Sequence, residues 1–346
     1  MNRPELRLET STLRANIAAV RDRIEPSALM LVVKDDAYGH GLPWAVETAI
    51  DAGVEWIGSF DVRSAIDVRR IAGGSPRVFA WVTSVDSEID EALLHDIDLG
   101  VGTAAYLERV IARASALEVR ARVHLKIDTG LHRNGILPGD WADAVATARA
   151  AEAAGVLELV GVWSHIAEAS DAEDDAAQAV FLDAVRATGD SGAAPELLHL
   201  TASAASWWRP ELRGSLSRIG AFCYGIRSAD GPELDGIRPV ATLTAPVVAV
   251  DDGRAIIDIG SFDGIPSTLA GITVGTPQGP RTLRSIEHAR SAVDDWPGVA
   301  IGDIVRIFGP GDRGEQSATT LSERIDTVGE EILTRLTARV RRVVVD

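Results

Sequence analysis

Eight short apolar runs recur between residues 29 and 222, and amphipathic, alanine-rich stretches separate them. The runs, which have the length and composition of buried strands, are Leu29–Val33, Trp56–Phe60, Arg77–Val82, Asp98–Gly102, Arg122–Asp128, Val160–His165, Leu197–Ala202 and Leu216–Phe222. The predicted helices between them include Thr12–Arg23, Ala45–Ala52, Val62–Ile71, Ala104–Ala114, Trp141–Ala153 and Asp175–Ala187. This alternation is typical of a (β/α)8 barrel of about 250 residues. A doubly wound open sheet is the alternative, but no glycine-rich phosphate loop follows the first strand.

The pattern changes after Gly231, where strand-like runs follow one another with turn residues between them. The elements predicted there are the strands Arg238–Val250, Arg254–Ile259, Gly271–Gly275, Thr282–Ile286, Asp303–Phe308 and Val340–Val345, and the helices Thr320–Ile325 and Val328–Leu336. We therefore predict an α/β chain with a (β/α)8 TIM barrel over residues 10–230 and a smaller, mainly β domain over residues 231–346. Residues 1–9 are expected to pair with the second domain, and the acidic run Asp171–Asp175 is predicted to be a loop.

The chain carries 51 acidic and 34 basic residues, a formal net charge of −17. This charge argues against nucleic acid and against an anionic membrane surface as partners. The one cysteine, Cys223, excludes an intrachain disulfide and fits a reducing compartment. The N-terminus is too polar for a secretory signal, and no apolar run approaches the roughly 20 residues needed to cross a bilayer. We expect a cytoplasmic protein, and no metal site is predicted.

Two lysines stand out because every other basic residue is arginine: Lys34 follows the first predicted strand and Lys126 lies on the fifth. Chemistry in such a barrel is carried by residues at the C-terminal ends of the strands. A lysine amine can lose its proton and form a Schiff base with a carbonyl, which arginine cannot do. The alternative is that two solvated lysines are present by chance, but Lys126 lies on an apolar strand and Lys34 directly at the end of one, where an unpaired ammonium is costly.

One aldehyde cofactor that uses such a lysine, pyridoxal phosphate, also needs a phosphate cradle and a partner for its pyridine nitrogen. Ser203 and the backbone amides of Gly220 and Ala221 could form the cradle, although Ser203 could equally cap the helix after strand seven. Arg218 could face the pyridine nitrogen, or it could form an ion pair at the barrel rim.

The runs around these residues are Val32–Gly41, Lys126–Gly135, Ser164–His165, Ser203–Ala205 and Arg218–Gly225. Together they closely resemble the alanine racemase family, pyridoxal phosphate enzymes of fold type III. The resemblance is weaker in the β domain, where it rests on Arg238–Pro239, Asp263–Gly264 and Gly302–Asp303. It implies a homodimeric isomerase that interconverts L- and D-alanine or a related amino acid.

The resemblance implies that Lys34 binds pyridoxal phosphate as a Schiff base and is the base on one face of the substrate Cα. The further cofactor contacts that it implies are Tyr38, Ser203, Gly220 and Ala221 at the phosphate, and Arg218, backed by His165, at the pyridine nitrogen. Arg133 would bind the α-carboxylate of a small amino-acid substrate. Lys126 matches a lysine that family members often carry as a carbamate, which orients this arginine.

The family's second catalytic base is a tyrosine early in the β domain, and the segment Val250–Ala255 lacks it. The tyrosines of this chain all have other places: Tyr38, Tyr106 on a predicted surface helix, and Tyr224. Two more family tyrosines are replaced, near Gly260–Phe262 and at Glu330. His288 is the best candidate for a substitute base, because an imidazole exchanges protons near neutral pH.

Three hypotheses remain open at this point. The first is a racemase with an altered or missing second base. The second is a different or one-sided pyridoxal phosphate reaction on a D-amino acid. The third is a relative that binds pyridoxal phosphate and has no catalytic activity.

Overall fold

The computed structural model describes residues 3–346, so Met1 and Asn2 of the predicted N-terminal strand lie outside the described residues. The described chain divides into two compact units. Residues 20–34 and 49–220 form one unit, and residues 3–19, 35–48 and 221–346 form the other. The domain limits derived from the sequence, 10–230 and 231–346, stay a prediction.

The predicted barrel strands are all present in the described chain. They are β2 Ala28–Val32, β3 Trp56–Ser59, β4 Arg77–Ala80, β5 Ile97–Val101, β6 Ala121–Lys126, β7 Leu157–Trp163, β8 Leu197–His199 and β9 Leu216–Ile219. From β2 to β8 each strand pairs in parallel with the next, and β9 pairs with β2. Between β8 and β9, the Arg218 amide donates to the Thr201 carbonyl at 3.3 Å. This nearly closed ring confirms the predicted (β/α)8 barrel.

Helices alternate with these strands. Their bounds are α1 Thr10–Ile24, α2 Lys34–Tyr38, α3 Leu42–Asp51, α4 Val62–Ala72, α5 Asp86–Leu94, α6 Ala104–Leu117, α7 Trp141–Ala153, α8 Asp171–Asp190 and α9 Ser203–Trp208. Within residues 3–346, no helix combines the length and the apolar character that a membrane span requires.

One local prediction is wrong. Asp171–Asp175 is the first turn of α8 rather than a loop, because Ser170 caps the helix by accepting from the Glu173 amide. Acidic side chains in a first turn are favoured by the positive end of the helix dipole. Tyr106 lies on the helix predicted for it, the amphipathic α6, and its side chain is on the buried face, at 2% exposure.

The interior of the barrel contains large apolar side chains, among them Met30, Phe79 and Trp163. Polar side chains are buried among them: His124 packs against Phe79, with ring centroids 4.7 Å apart, and His199 stacks on Trp163 at 5.7 Å. Buried polar groups need partners, because losing water without a new hydrogen bond is costly. Their partners define the candidate site below.

The strands of the other unit are β1 Glu5–Leu8, β10 Ala241–Asp251, β11 Arg254–Ile257, β12 Thr273–Thr276, β13 Gly279–Ile286, β14 Ser291–Asp294, β15 Ile304–Phe308 and β16 Arg341–Val344. They form one sheet in the order β11-β14-β13-β12-β15-β10-β1-β16. All neighbours are antiparallel except β1 and β16, which are parallel. The sequence pattern did not predict β14. The helices of this unit after residue 300 are α10 Ala318–Glu323 and α11 Gly329–Thr334.

Strands β10 and β11 are joined by a tight turn at Asp252 and Gly253, whose φ angles are 42° and 72°. Asp251 pairs directly with Arg254, so the ladder continues up to the turn. Asp and Gly suit this backbone, since they tolerate positive φ in two-residue hairpin turns. The turn lies in the segment from which the expected tyrosine is missing.

Candidate active site

The guanidinium of Arg218, on β9, is buried, with 6% of the residue exposed. Its NH1 donates to the carbonyl of His199 at 2.8 Å and to Nδ1 of the same residue at 3.1 Å. Its NH2 donates to the carbonyls of Ser164 at 2.7 Å and Leu200 at 3.1 Å, and lies 3.5 Å from Nδ1 of His165. Within residues 3–346 only Nε of this guanidinium lacks an acceptor. One N–H in a fixed position therefore remains available, since arginine has five such donors.

A hydrogen-bond chain runs from Arg218 across the barrel interior to Asp98 on β5. Arginine can only donate, so Nδ1 of His199 accepts and its Nε2 carries the proton. That Nε2 donates to Nδ1 of His124 at 2.9 Å, and Nε2 of His124 donates to Asp98 Oδ2 at 3.1 Å. Gly161 leaves space for this chain, because a Cβ there would lie 2.6 Å from Nδ1 of His124. The partners thus determine the tautomer of each ring.

Burial and charge hold this chain in one protonation state. Burial lowers the pKa of His199 well below its ordinary value, and the charge of Arg218 lowers it further. Burial also lowers the pKa of His124, against the opposing effect of Asp98. Burial would raise the pKa of Asp98, but the hydrogen bond from His124 and the charge of Arg122 outweigh it and leave that pKa lowered. Both histidines are therefore neutral and the carboxylate is ionised at neutral pH.

Positive charge converges around His165, at the C-terminal ends of the barrel strands. Burial, together with the charges of Arg218, Arg133, Lys126 and Lys34, lowers the pKa of His165 to about 3. The structure thus brings together these residues, which the sequence analysis had selected. A cluster of cations of this kind favours an anionic ligand.

Lys126 is the more deeply buried of the two lysines, with 4% of the residue exposed. Burial, and then the charges of Arg133 and Arg218, lower its pKa to about 8, while Asp128 opposes the shift. The Trp163 ring contacts both cations, at 4.8 Å from Nζ of Lys126 and 5.2 Å from the guanidinium carbon of Arg218. Such cation–π contacts stabilise the cations only modestly.

Ser203 is the first residue of α9 and is not its N-cap, which is Ala202. The Gly220 amide donates to Ser203 Oγ at 3.3 Å, so the two residues predicted for the phosphate cradle are neighbours. The carboxylate of Glu168 accepts from the Ala205 amide at 2.8 Å. Burial raises the pKa of Glu168.

Tyr38 and Ala221, the other two predicted phosphate contacts, belong to the second compact unit. Burial raises the pKa of Tyr38 well above its ordinary value, the charge of Glu330 raises it further, and a hydrogen bond with the Ala221 backbone opposes the shift. The phenol ring packs against Tyr224, with centroids 5.3 Å apart. At neutral pH Tyr38 is therefore a neutral hydrogen-bonding group.

The segment between Lys34 and Gly39 has an unusual backbone. Asp35, Asp36 and Ala37 have φ angles of 53–56° and ψ angles of 48–51°, so α2 is a left-handed turn. Each such residue costs roughly 1–2 kcal/mol. The Asp36 carboxylate stabilises the turn by accepting from the Leu42 amide at 2.6 Å. Strain of this kind typically persists where a side chain has to be placed for function.

His288 is exposed in the turn between β13 and β14. Its carbonyl accepts from the Phe262 amide at 2.8 Å, and the two rings lie 5.1 Å apart. Its proposed role as a substitute base stays a prediction.

Sequence reasoning missed the chain of His199, His124 and Asp98 and a hydrogen bond between His132 and Asp128. A signal for the chain was present, because polar residues inside apolar barrel strands need buried partners. A signal for the hydrogen bond was the spacing of four residues after a strand end.

Comparison with known proteins identifies the class that this barrel and site define. Residues 8–228 match the family "Alanine racemase, N-terminal domain" and residues 246–344 match "Alanine racemase, C-terminal domain". The chain therefore belongs to the alanine racemase family, whose members use pyridoxal 5′-phosphate as cofactor.

Individual relatives are similar over nearly their whole length. Alanine racemase of Thermobifida fusca is 34% identical over 366 residues, which cover 98% of this chain and 97% of the relative. That of Beutenbergia cavernae is also 34% identical, over 97% of this chain and 96% of the relative. Among solved structures, alanine racemase from Streptomyces coelicolor A3(2) superimposes with a TM-score of 0.92 at 32% identity, over 99% of this chain and 98% of the other.

The residues of the barrel fit pyridoxal phosphate. Arg218 is fixed by its other donors and has one N–H to give to a ring nitrogen. Ser203 and Gly220 lie together, as a phosphate cradle needs. Lys34 adds its charge to the cations around His165.

Proposed function

We propose that this chain is a pyridoxal phosphate-dependent racemase that interconverts L- and D-alanine or a related small amino acid. The observation that carries the proposal is the fixed guanidinium of Arg218, with one N–H left to donate, inside a cluster of cations. Membership of the alanine racemase family supports it. The family also supports a homodimer, and the charge of −17 argues against nucleic-acid and anionic-membrane partners. The single cysteine fits the reducing environment of the cytoplasm.

Bound pyridoxal phosphate supplies an electron-withdrawing ring that stabilises the electron pair left on Cα when a proton is removed. Lys34 would hold the cofactor and move that proton at Nζ on one face. Ser203, Gly220, Tyr38 and Ala221 would bind the phosphate.

Arg218 would donate through Nε to the ring nitrogen. Burial lowers the pKa of Arg218 to about 9, and Glu168 opposes the shift, so the guanidinium keeps its proton at neutral pH. With Arg218 as its donor, and His165 behind the Arg218 guanidinium at 3.5 Å, the ring nitrogen would remain unprotonated. A ring with an unprotonated nitrogen would be a weaker electron sink than a protonated ring, which suits proton exchange and disfavours side reactions.

Arg133 would bind the substrate carboxylate. The buried Lys126 ammonium adds like charge next to this arginine. A carbamate on Lys126 would replace that repulsion by an attraction and hold Arg133 in place.

A second candidate is proton exchange on one enantiomer only. The observation in its favour is the tight turn at Asp252 and Gly253, which occupies the place of the expected tyrosine segment. No tyrosine follows residue 224 in the sequence, so this chain offers none for the second face.

One experiment separates the candidates. The cofactor-loaded protein is incubated in deuterated water with L-alanine or with D-alanine, and chirality and Cα deuterium are followed. Inversion with exchange of both enantiomers supports the racemase. Exchange of one enantiomer without inversion supports one-sided chemistry, and no exchange by the loaded protein contradicts both.

A further inference from the structure

Racemisation needs a proton carrier on each face of Cα, and the β10–β11 turn leaves the second face without its expected tyrosine. The structure presents an imidazole–carboxylate pair, His132 and Asp128, on the loop that carries Arg133. Building on the proposed function, we infer that His132 is the second acid–base group and that Asp128 positions it.

The loop 128–135 is fixed at both ends. The Asp128 amide donates to the Ile136 carbonyl at 2.9 Å, and the Ile136 amide donates to the Lys126 carbonyl at 2.8 Å. Inside the loop, Asp128 Oδ1 accepts from the amides of Gly130 at 3.0 Å and His132 at 3.1 Å. One buried carboxylate therefore organises the whole loop.

The other oxygen of this carboxylate orients the imidazole. Nδ1 of His132 donates to Asp128 Oδ2 at 2.9 Å, so Nε2 carries the lone pair. The carboxylate is ionised, because hydrogen bonds from the Gly130 and His132 amides and from the ring outweigh burial and lower its pKa. The His132 side chain is 76% exposed, so Nε2 is accessible. Catalytic imidazoles are oriented in this way, by a carboxylate on the opposite nitrogen.

The neighbour of His132 connects the pair to the substrate. Consecutive Cα atoms lie about 3.8 Å apart, and Arg133 belongs to the cluster of cations around His165 and Lys126. A carboxylate bound by Arg133 would therefore bring the substrate next to the loop. By contrast, no acidic side chain of residues 3–346 forms an ion pair with His288.

The proposed step conserves protons and electrons. The Cα–H bond breaks, its proton goes to Nε2 of His132, and the bonding electron pair stays on the substrate. On the opposite face the Lys34 ammonium returns a proton to Cα. The protein then holds an imidazolium and a neutral amine, and the reverse direction or exchange with water restores the starting state.

Two variants test the pair. His132→Gln removes the acid–base group and is expected to slow interconversion at least about 100-fold, with exchange of one enantiomer lost and that of the other kept. Asp128→Asn keeps the acceptor for the loop amides, but its amide N–H faces Nδ1. The ring then carries its proton on Nε2, so a similar loss is expected with cofactor loading and melting temperature close to wild type.

His288→Gln is the matched comparison, because it removes the other candidate imidazole. A readout independent of turnover is carbethoxylation of histidines by diethyl pyrocarbonate, located by peptide mass spectrometry. D-Alanine should slow modification of His132 and leave that of His95, at the surface, unchanged. Added imidazole should restore part of the exchange lost in His132→Gln, whereas His288→Gln should keep the wild-type exchange with or without imidazole.

The outcomes separate this inference from the proposed function. A wild-type protein that exchanges neither enantiomer overturns the proposed function and the inference with it. Wild-type racemisation that survives His132→Gln overturns the inference alone. Loss of activity in His288→Gln with none in His132→Gln overturns it in favour of His288.

Discussion

Mild acid should destabilise this protein, because four histidines of the described chain, three of them buried and one partly buried, have lowered pKa values. Burial lowers the pKa of His40 to about 4 and of His165 to about 3, and it also lowers the pKa of His124 and His199. In the unfolded chain an imidazole has a pKa of about 6.5. Below that pH the unfolded chain binds protons at these imidazoles that the folded protein does not bind, so the free energy of unfolding falls as pH falls.

The magnitude follows from linkage. Between pH 7.5 and 5.5, each imidazole that stays neutral in the folded state lowers the free energy of unfolding by about 1.4 kcal/mol. His40 and His165, with pKa values of about 4 and about 3, together lower it by about 3 kcal/mol, against a typical total of about 5–15 kcal/mol. The lowered pKa values of His124 and His199 act in the same direction. Glu168 acts in the opposite direction, because its raised pKa favours proton binding by the folded protein.

His40 offers the sharpest test. Its Nδ1 donates to the Ala37 carbonyl at 2.7 Å, and its Nε2 is buried without a partner in residues 3–346. Protonation would place an N–H there with no acceptor. In His40→Asn the side-chain amide can donate to the Ala37 carbonyl in place of Nδ1–H, and it does not titrate. The difference in unfolding free energy between pH 7.5 and 5.5 should then shrink by about 1.4 kcal/mol.

The assay is urea unfolding of the cofactor-loaded protein at several pH values, followed by tryptophan fluorescence. The same measurement on His95→Asn, whose side chain is 36% exposed, gives the effect of removing a solvent-accessible imidazole for comparison. The comparison uses the slope of the unfolding free energy against pH. A loss of stability that is the same at every pH does not change this slope. A His40→Asn protein with the full wild-type slope would refute the reasoning.

Two further predictions concern the barrel interior and its rim. Asp98→Asn should lower the free energy of unfolding by about 3 kcal/mol, because Arg77 and Arg122 lose a buried anion. Asp90→Asn, which removes a carboxylate from a peripheral ion pair, should lower the free energy of unfolding much less. Equal losses of stability in the two variants would contradict this account. At pH 7 about a tenth of Lys126 is neutral, given a pKa of about 8, so bicarbonate should add the mass of one CO2 to the intact protein but not to Lys126→Ala. Lys126→Ala should raise the KM for alanine about tenfold with less effect on kcat. If the mass gain persists in Lys126→Ala, the carbamate lies on another residue.

Periodicity predicted the barrel strands well because parallel strands are buried on both faces and read as short apolar runs. It missed β14, which is short and begins at Ser291 after a polar turn. It also misread the start of α8, where Asp171 and its acidic neighbours favour a helix N-terminus as much as a loop.

The site was predictable wherever a residue type is required by the chemistry itself. Lys34 and Lys126 stood out because arginine cannot replace an amine that must lose its proton. The partners of Arg218 were not predictable in this way. His124 on β6 and His199 on β8 are separated by β7, and they meet only because both side chains point into the barrel interior, where Gly161 of β7 leaves room; no local spacing records that contact.

The hydrogen-bond chain also shows why the interior and the rim of this barrel protein respond differently to substitution. Each imidazole between Arg218 and Asp98 accepts through one nitrogen and donates through the other, so replacing one leaves a buried group unpaired, at about 1–3 kcal/mol. The turn at Asp252 and Gly253 is exposed, and the pairing of its flanks satisfies its backbone. Replacing the expected tyrosine segment by this turn removes an acid–base side chain and costs the protein little stability. Cofactor binding and two-sided proton transfer are therefore separable properties of this fold.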